Sequence, residues 1–338
     1  MAELVRVAAL TGYFETMAGL GINPRPLLKE QGLAADMLAN PEQLIPARAA
    51  VRLLERSAEA ANCMTLGLRM AQGRVLANLG AASVLIVHQP NLRAALAALI
   101  EFRSRINSTL VLQLEERGGD VILREEFSLR RPEPGRQSNN LLLGVLARLC
   151  AGVLGPGWAP RLVCFTHPAP DSSDRAIFAR FFGCPLQFDA EFNGLVLPAA
   201  DLDRANARAD EQLAGHARRL IDAVMSPAIS TTAEDVDQLI RLLLPSGRAS
   251  IQTCAASLGH SVRTLQRLLD AEGESFSALL RRARMQLAAE FLANPRIRVT
   301  DVADILGYGS LAAFTRWHSA AFGHPPRRKA PRGSQTKL

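Results

Sequence analysis

The stretch Ser261-Val-Arg-Thr-Leu-Gln-Arg267 sets Arg263, Gln266 and Arg267 at positions i, i+3 and i+4, on one face of a helix. An arginine fork fits guanine O6 and N7, and a glutamine amide fits adenine N6 and N7, so this face carries the groups that read base edges. Thr264 stands among them as a fourth candidate contact. Val262, Leu265, Leu268 and Leu269 fall on the other face, which needs a second helix to bury it. That partner is expected to run from Ser250, a side chain suited to an N-cap, through Leu258. Gly259 would supply the turn, where a positive φ favours a residue without Cβ, and Ser261 would cap the reading helix.

The layout occurs twice. Ala255, Leu258 and Gly259 correspond to Ala303, Leu306 and Gly307; after one extra turn residue, Gly309, Ser261, Leu265 and Arg267 correspond to Ser310, Phe314 and Arg316. In the second copy Thr300 is expected to cap, Gly307 to turn, Ser310 to cap the second helix, and Phe314 and Trp317 to be buried. Its outward candidates are Ser310, Ala312, Thr315 and Arg316, a face poorer in hydrogen-bonding groups. The first copy should therefore carry most base reading, and the second more methyl and backbone contact.

The two copies need an element to hold them apart. Ser275–Ala293 is periodic and closes at Asn294-Pro295. About 19 residues at ~1.5 Å each give a connector of roughly 30 Å. Successive major grooves on one DNA face lie roughly 34 Å apart. Arg281, Arg282 and Arg284 lie along the connector, with Arg284 the candidate phosphate contact. A helical bundle with chance similarity between its halves is the plainer reading, but the charge argues against it. Residues 250–338 hold 13 Lys/Arg against 6 Asp/Glu, which accounts for the whole net charge of +7. A neutral body with a basic end suits a chain that meets phosphate with that end alone.

The 338 residues have room for more than one domain, and 48% hydrophobic with 21% charged residues is a globular composition. Helical spacing recurs in Val5–Met17, Leu44–Ala60 and Leu92–Ile106. Thr109–Glu115 and Asp120–Phe127 alternate around Arg117-Gly-Gly119, which predicts a β-hairpin. A helix is expected over Gln137–Leu154. Short strands are expected at Arg161–Thr166, Leu186–Phe188 and Gly194–Leu197, with helices over Ser173–Phe182 and 204–224. The fold class is thus an α+β N-terminal domain followed by an all-α C-terminal domain with two helix-turn-helix units joined by a long helix. The expected boundaries are 1–224 for the N-terminal domain, 225–232 for a linker, 233–330 for DNA binding and 331–338 for a basic tail.

Beyond this layout, 233–330 resembles the AraC/XylS family of bacterial transcription regulators. The resemblance rests on Ser-Val-Arg-Thr-Leu-Gln-Arg267, Arg284-Met-Gln-Leu-Ala, Asp301-Val-Ala-Asp-Ile-Leu-Gly-Tyr308 and Ala313-Phe-Thr-Arg-Trp317 followed by Phe322-Gly323. It departs at the end: Pro326 is followed by Arg327-Arg-Lys-Ala330 where the family has Pro-x-x-Tyr-Arg, which leaves the basic tail to meet DNA. Gly21-Ile-Asn-Pro24, Ile45-Pro46, Phe165-Thr-His-Pro-Ala-Pro170 and Phe181-Phe-Gly-Cys-Pro-Leu-Gln-Phe188 resemble the arabinose-binding-type N-terminal domain. That label does not make arabinose the effector.

The resemblance implies that 1–224 is an effector-sensing and dimerisation domain, in a regulator controlled by a small-molecule effector that binds double-stranded promoter DNA as a homodimer and acts as an activator through RNA polymerase. The alternative is an N-terminal domain that only dimerises. The unpaired cysteines and the Met1-Ala-Glu-Leu-Val-Arg6 start, without a signal layout, predict a cytoplasmic protein. Phe165, His167, Phe182 and Phe188 are the candidate effector wall, with His167 as polar anchor; the plainer reading makes the phenylalanines core. Five scattered cysteines without a C-x-x-C pair indicate reduced thiols, and scattered Cys and His give no metal-ligand spacing. No cofactor and no metal site is expected. Neither a nucleophile elbow, a Walker loop, a zincin motif nor a dinucleotide fingerprint occurs, so an enzyme is not expected. No membrane association is expected either: the longest apolar stretch, near Leu141–Leu154, is interrupted by Arg148.

Overall fold

The computed structural model describes residues 3–74, 81–127, 129, 133–224, 231–244, 247, 249–258, 260–293 and 298–326. They fall into two compact units that divide between Ser230 and Thr231. Gly259, Asn294-Pro295, most of 225–232 and the tail 331–338 lie outside the described residues.

The first unit opens with β1 (Leu4–Arg6), α1 (Tyr13–Gly19), α2 (Arg25–Glu30), β2 (Leu44–Pro46), α3 (Ala47–Ala60), α4 (Leu66–Gly73), α5 (Ala81–Val87) and α6 (Leu92–Ile106). Two of these depart from the helical expectation. Val5–Met17 is not one helix: Leu4–Arg6 pairs antiparallel with Leu44–Pro46, and Gly12 at φ 82° breaks the chain before α1. The helix expected from Leu44 starts at Ala47, after that ribbon and Pro46. Apolar residues at helical spacing were compatible with either form, and pairing between remote segments decided it.

Next come β3 (Leu110–Arg117), β4 (Asp120–Phe127), α7 (Arg136–Leu154), β5 (Leu162–Cys164), α8 (Ser172–Phe182), β6 (Leu186–Gln187), β7 (Asn193–Pro198) and α9 (Glu211–Val224). The hairpin closes as expected: Gly118 and Gly119 both take positive φ, 60° and 87°, which a two-residue turn between twisted strands requires. The sheet order is β3-β4-β7-β5-β6, with the β5–β6 pair parallel and the others antiparallel. Residues 204–210, expected as helix, are not. Asn206 Nδ2 donates to the carbonyls of Val87 and Gln89 at 2.6 and 2.8 Å, fastening this stretch to the end of α5. The helix starts at Glu211, where Asp210 Oδ1 accepts from Leu213 N at 2.9 Å.

Helix α7 joins two apolar cores. Leu143, Leu146, Leu149 and Cys150 pack with the sheet and α6, while Leu141 packs with Tyr13, Met17, Leu53, Leu54 and Leu66 of the N-terminal helices. At the crossing of α4 and α7, a Cβ on Gly67 would lie 2.0 Å from the Gln137 carbonyl oxygen, and one on Gly144 2.6 Å from Ala71 Cβ. The fold is therefore α+β, with a small ribbon ahead of the first helices.

The second unit is helical: α10 (Thr232–Leu243), α11 (Ile251–Ser257), α12 (Val262–Ala271), α13 (Phe276–Ala293), α14 (Val299–Ile305) and α15 (Leu311–Phe322). Thr231 and Glu234 form a reciprocal capping box at the start of α10. The Glu272 carboxylate accepts from Thr232 N and Ala233 N, at 3.0 and 2.8 Å, and ties that start to the end of α12.

Candidate nucleic-acid interface

In the first helix-turn-helix, Ser250 Oγ accepts from Thr253 N and Ser261 Oγ from Thr264 N, both at 3.1 Å. Cys254, Ala255, Leu265 and Leu269 are buried between α11 and α12. Burial of these residues turns the opposite face of α12 outward, leaving Arg263, Gln266 and Arg267 exposed, while Thr264 is half-buried with its hydroxyl 2.8 Å from Ser261 Oγ.

The second copy repeats this at the backbone. His260 N donates to the Ala255 carbonyl at 2.8 Å, and Tyr308 N to the Ala303 carbonyl at 2.9 Å. Leu258 N bonds the Cys254 carbonyl, and Leu306 N the Val302 carbonyl, each at 3.1 Å. Gly307 takes φ 77° in the turn, and Ser310 Oγ accepts from Ala313 N at 3.2 Å. One cap differs from expectation. Thr300 is the second residue of α14, and Asp301 Oδ2 instead accepts from Arg298 N at 3.1 Å, because its carboxylate reaches the free N–H one residue before the helix.

Phe314 is buried, as its spacing predicts, but Trp317 is only half-buried, and His318 is the second buried ring of the helix. It stacks on Phe322 at 4.4 Å, and its Nδ1 lies 2.8 Å from the His324 carbonyl oxygen. The positions of Ser310, Ala312 and Arg316 are exposed and that of Thr315 half-buried. The two outward faces thus differ in chemistry while sharing one backbone frame.

Helix α13 is 18 residues long, and Ser275 Oγ accepts from Ala278 N at its start. At ~1.5 Å per residue it spans about 27 Å. Arg281 and Arg282 are exposed, Arg282 pairing with Glu274 at 3.0 Å. Arg284 is different. It is half-buried, with its guanidinium 5.3 Å from the Tyr308 ring centroid and its Nε buried without a hydrogen-bond partner. Burial raises the Tyr308 phenol to about 12, although Arg284 pulls it down.

The first unit brings Phe165, His167, Phe182 and Phe188 together, with Phe178 among them. Ring centroids of Phe165 lie 5.0 Å from Phe188, 5.3 Å from Phe178 and His167, and 5.8 Å from Phe182. Phe165 and Phe182 are buried in the sheet core. His167 Nε2 lies 2.9 Å from Asn140 Oδ1, and burial lowers its pKa. None of these residues lines a cavity of about 630 Å³ in the same unit, which is walled by Val5, Leu10, Leu54, Leu110, Leu141 and Val145 and carries Arg6, Glu42 and Arg74. The segments forming it are far apart in sequence, and the one available signal was Arg6 within the apolar run Leu4-Val-Arg-Val7.

All five cysteines are free thiols, four of them buried. Among the described residues there is no group of three His, Cys, Asp or Glu placed to hold a metal, and no helix is long and apolar enough to cross a membrane.

A duplicated helix-turn-helix on a basic helical unit, following an α+β unit, defines a DNA-binding transcription regulator. Residues 21–206 match the family described as the arabinose-binding domain of AraC transcription regulators, N-terminal, and 254–330 match a helix-turn-helix domain family. The chain belongs to the AraC family, with an N-terminal domain of the arabinose-binding type. It is 29% identical over 331 residues to the HTH-type transcriptional regulator VirS of Mycobacterium tuberculosis, covering 97% of this chain and 96% of that one. It is 22% identical to the ornithine utilization regulator of Pseudomonas aeruginosa, covering 93% of both chains. The crystal structure of the transcriptional regulator CdpR from Pseudomonas aeruginosa aligns loosely over 90% of this chain and 95% of its own, at 18% identity and TM-score 0.42. These relatives are transcription regulators and not enzymes.

Proposed function

We propose that this chain is a one-component regulator: residues 1–224 sense a small molecule and dimerise, 225–232 link, and 233–330 bind promoter DNA, with 331–338 as a basic tail. The observation that carries the DNA-contact reading is the shared frame of α12 and α15. Each is led by a capping serine and buries its apolar side, and each turns an arginine at the equivalent position, Arg267 or Arg316, to solvent. Arg263, Thr264, Gln266 and Arg267 read one groove; Ser310, Ala312, Thr315 and Arg316 meet the next, and Arg284 serves a phosphate. The protein acts in the cytoplasm as a homodimer and activates transcription through RNA polymerase. Exposed Leu213 on α9, 40% accessible, supports a dimer face. Effector control follows if the ligand binds the two arrangements of the regulator unequally.

Base substitution through the operator tests the contacts. Arg267→Ala should cost ~1–3 kcal/mol and relax preference at one base pair. Substitutions in the half-site read by α12 should lower affinity more than those in the half-site read by α15. Equal losses at both would sink the asymmetry.

A further inference from the structure

The cavity walled by Leu54, Leu141 and Val145 in the first unit holds buried charge in a mostly apolar wall. Its volume, about 630 Å³, is that of a pocket for a drug-sized molecule. Most of its wall is aliphatic, and its ionisable groups among the described residues are two guanidiniums and one carboxylate. Arg6 is only 5% exposed. Its Nε donates to the Arg105 carbonyl at 2.6 Å and its Nη1 to Glu42 Oε2 at 2.7 Å, but Nη2 is buried with no partner. Arg74 is 8% exposed and, among the described residues, pairs with no carboxylate; it donates to the carbonyls of Thr11 and Ala9. Burial alone lowers its pKa to about 10, which leaves it charged at neutral pH.

The balance is therefore one positive charge in excess, plus one buried N–H without an acceptor. Buried charges and donors persist at this cost where something else answers them. A neutral sugar would need many free hydrogen-bonding groups, whereas of the neutral polar side chains on this wall Thr11 Oγ1 already donates to the Ala8 carbonyl and Thr109 Oγ1 to Asn107 Oδ1, and Ser138 is the other hydroxyl among the described residues. An amino acid would bring an ammonium group, yet the single carboxylate, Glu42, is already paired with Arg6. What remains is an anion on a hydrocarbon body.

We propose that this cavity binds a monoanionic amphiphile: a hydrocarbon chain ending in a carboxylate, received by the Arg6 and Arg74 guanidiniums while the chain lies against Leu54, Leu141 and Val145. The assignment rests on the reading of this unit as an effector sensor and names the effector's chemical class. It also suggests a route of control. Leu220 and Ile221 of α9, the last helix of the unit, form part of the same wall, so occupancy bears on α9 directly.

Titration calorimetry on the full chain with decanoate, decanol and decyltrimethylammonium tests the site. Decanoate should bind saturably at one per chain, decanol at least tenfold more weakly, and the cation not at all. Arg6→Met should weaken decanoate at least tenfold. Should that variant misfold by circular dichroism, Val145→Trp, which fills the cavity from α7, should abolish binding. Decanol binding as tightly as decanoate, no decanoate binding, or unchanged binding to Val145→Trp would each overturn the proposal. Promoter-fragment binding with and without decanoate separates the two readings. Saturable binding that leaves DNA affinity unchanged keeps the cavity assignment and rejects the sensor. Failure to bind decanoate, with DNA affinity responding to another small molecule, does the reverse.

Discussion

Glu125 shows how much one side chain can owe to its place in the sheet. It follows Leu123 on the β4 face that packs on the core, and it is 2% exposed with both carboxylate oxygens lacking a hydrogen-bond partner. Burial raises its pKa well above the usual value, with neighbouring Glu126 adding to the shift. The folded chain therefore keeps a proton that the unfolded chain loses above ~4.3. Stability should fall as pH rises through that value, until the folded pKa is passed. Glu125→Gln keeps the shape and removes the titration. Thermal melts should show this variant more stable than the parent at pH 8 and level with it near pH 4.5, and an equal gain at both would refute the explanation. Not all polar placements were legible beforehand. The Arg263, Gln266 and Arg267 set could be read from spacing alone, since a helix face is a local property. Glu125, Arg6 and Arg74 owe their burial to segments distant in sequence.

Among the elements, the crossing of α4 and α7 is set by small residues. The Gly67 backbone lies so near the start of α7 that a Cβ would meet the Gln137 carbonyl oxygen at 2.0 Å, and backbone cannot give way as a flexible side chain can. Gly67→Ala should destabilise the first unit by ~1–3 kcal/mol through overpacking. Gly73, at the end of the same helix, has nothing within 4 Å of such a Cβ. Gly73→Ala should be neutral or stabilising, by up to ~1 kcal/mol. Denaturant melts of both variants check this, and similar losses would remove the crossing as the cause. Elements with a strong local signature, such as α6, α7 and the β3–β4 hairpin, were readable from periodicity and turn glycines. The ribbon of β1 and β2 was not, because three-residue strands exist only through their pairing.

At the scale of the molecule, charge divides the work. The surplus of +7 lies in residues 250–338, while the rest of the chain is balanced. DNA affinity should therefore fall steeply with salt, since each phosphate contact releases counterion. Arg281 and Arg284 lie on the same helix but differ in setting: Arg281 is exposed, and Arg284 is half-buried against Tyr308. Arg281→Gln should weaken binding to all sequences alike, lowering the salt slope by about 1 without moving the melting temperature if it meets a phosphate. Arg284→Gln should also weaken all sequences alike and lower the melting temperature, because a stacked cation on a ring contributes ~0.5–2 kcal/mol. Mobility-shift titrations across salt, paired with thermal melts, check both. Indistinguishable variants would mean that the Tyr308 contact adds nothing to stability.

The order of helices in the second unit, its paired serine caps, the outward arginines and the division of charge all followed from the chain read in line. Caps, turns and amphipathic faces are made between residues within a few positions of each other, so local spacing is enough to find them. The aromatic group around Phe165 could be located in the same way, but not its burial in the sheet core. The cavity beneath α7 and its two guanidiniums needed the fold. The walls come from both ends of a 230-residue unit, and only packing brings Arg6, paired with Glu42, and Arg74 into one largely apolar space.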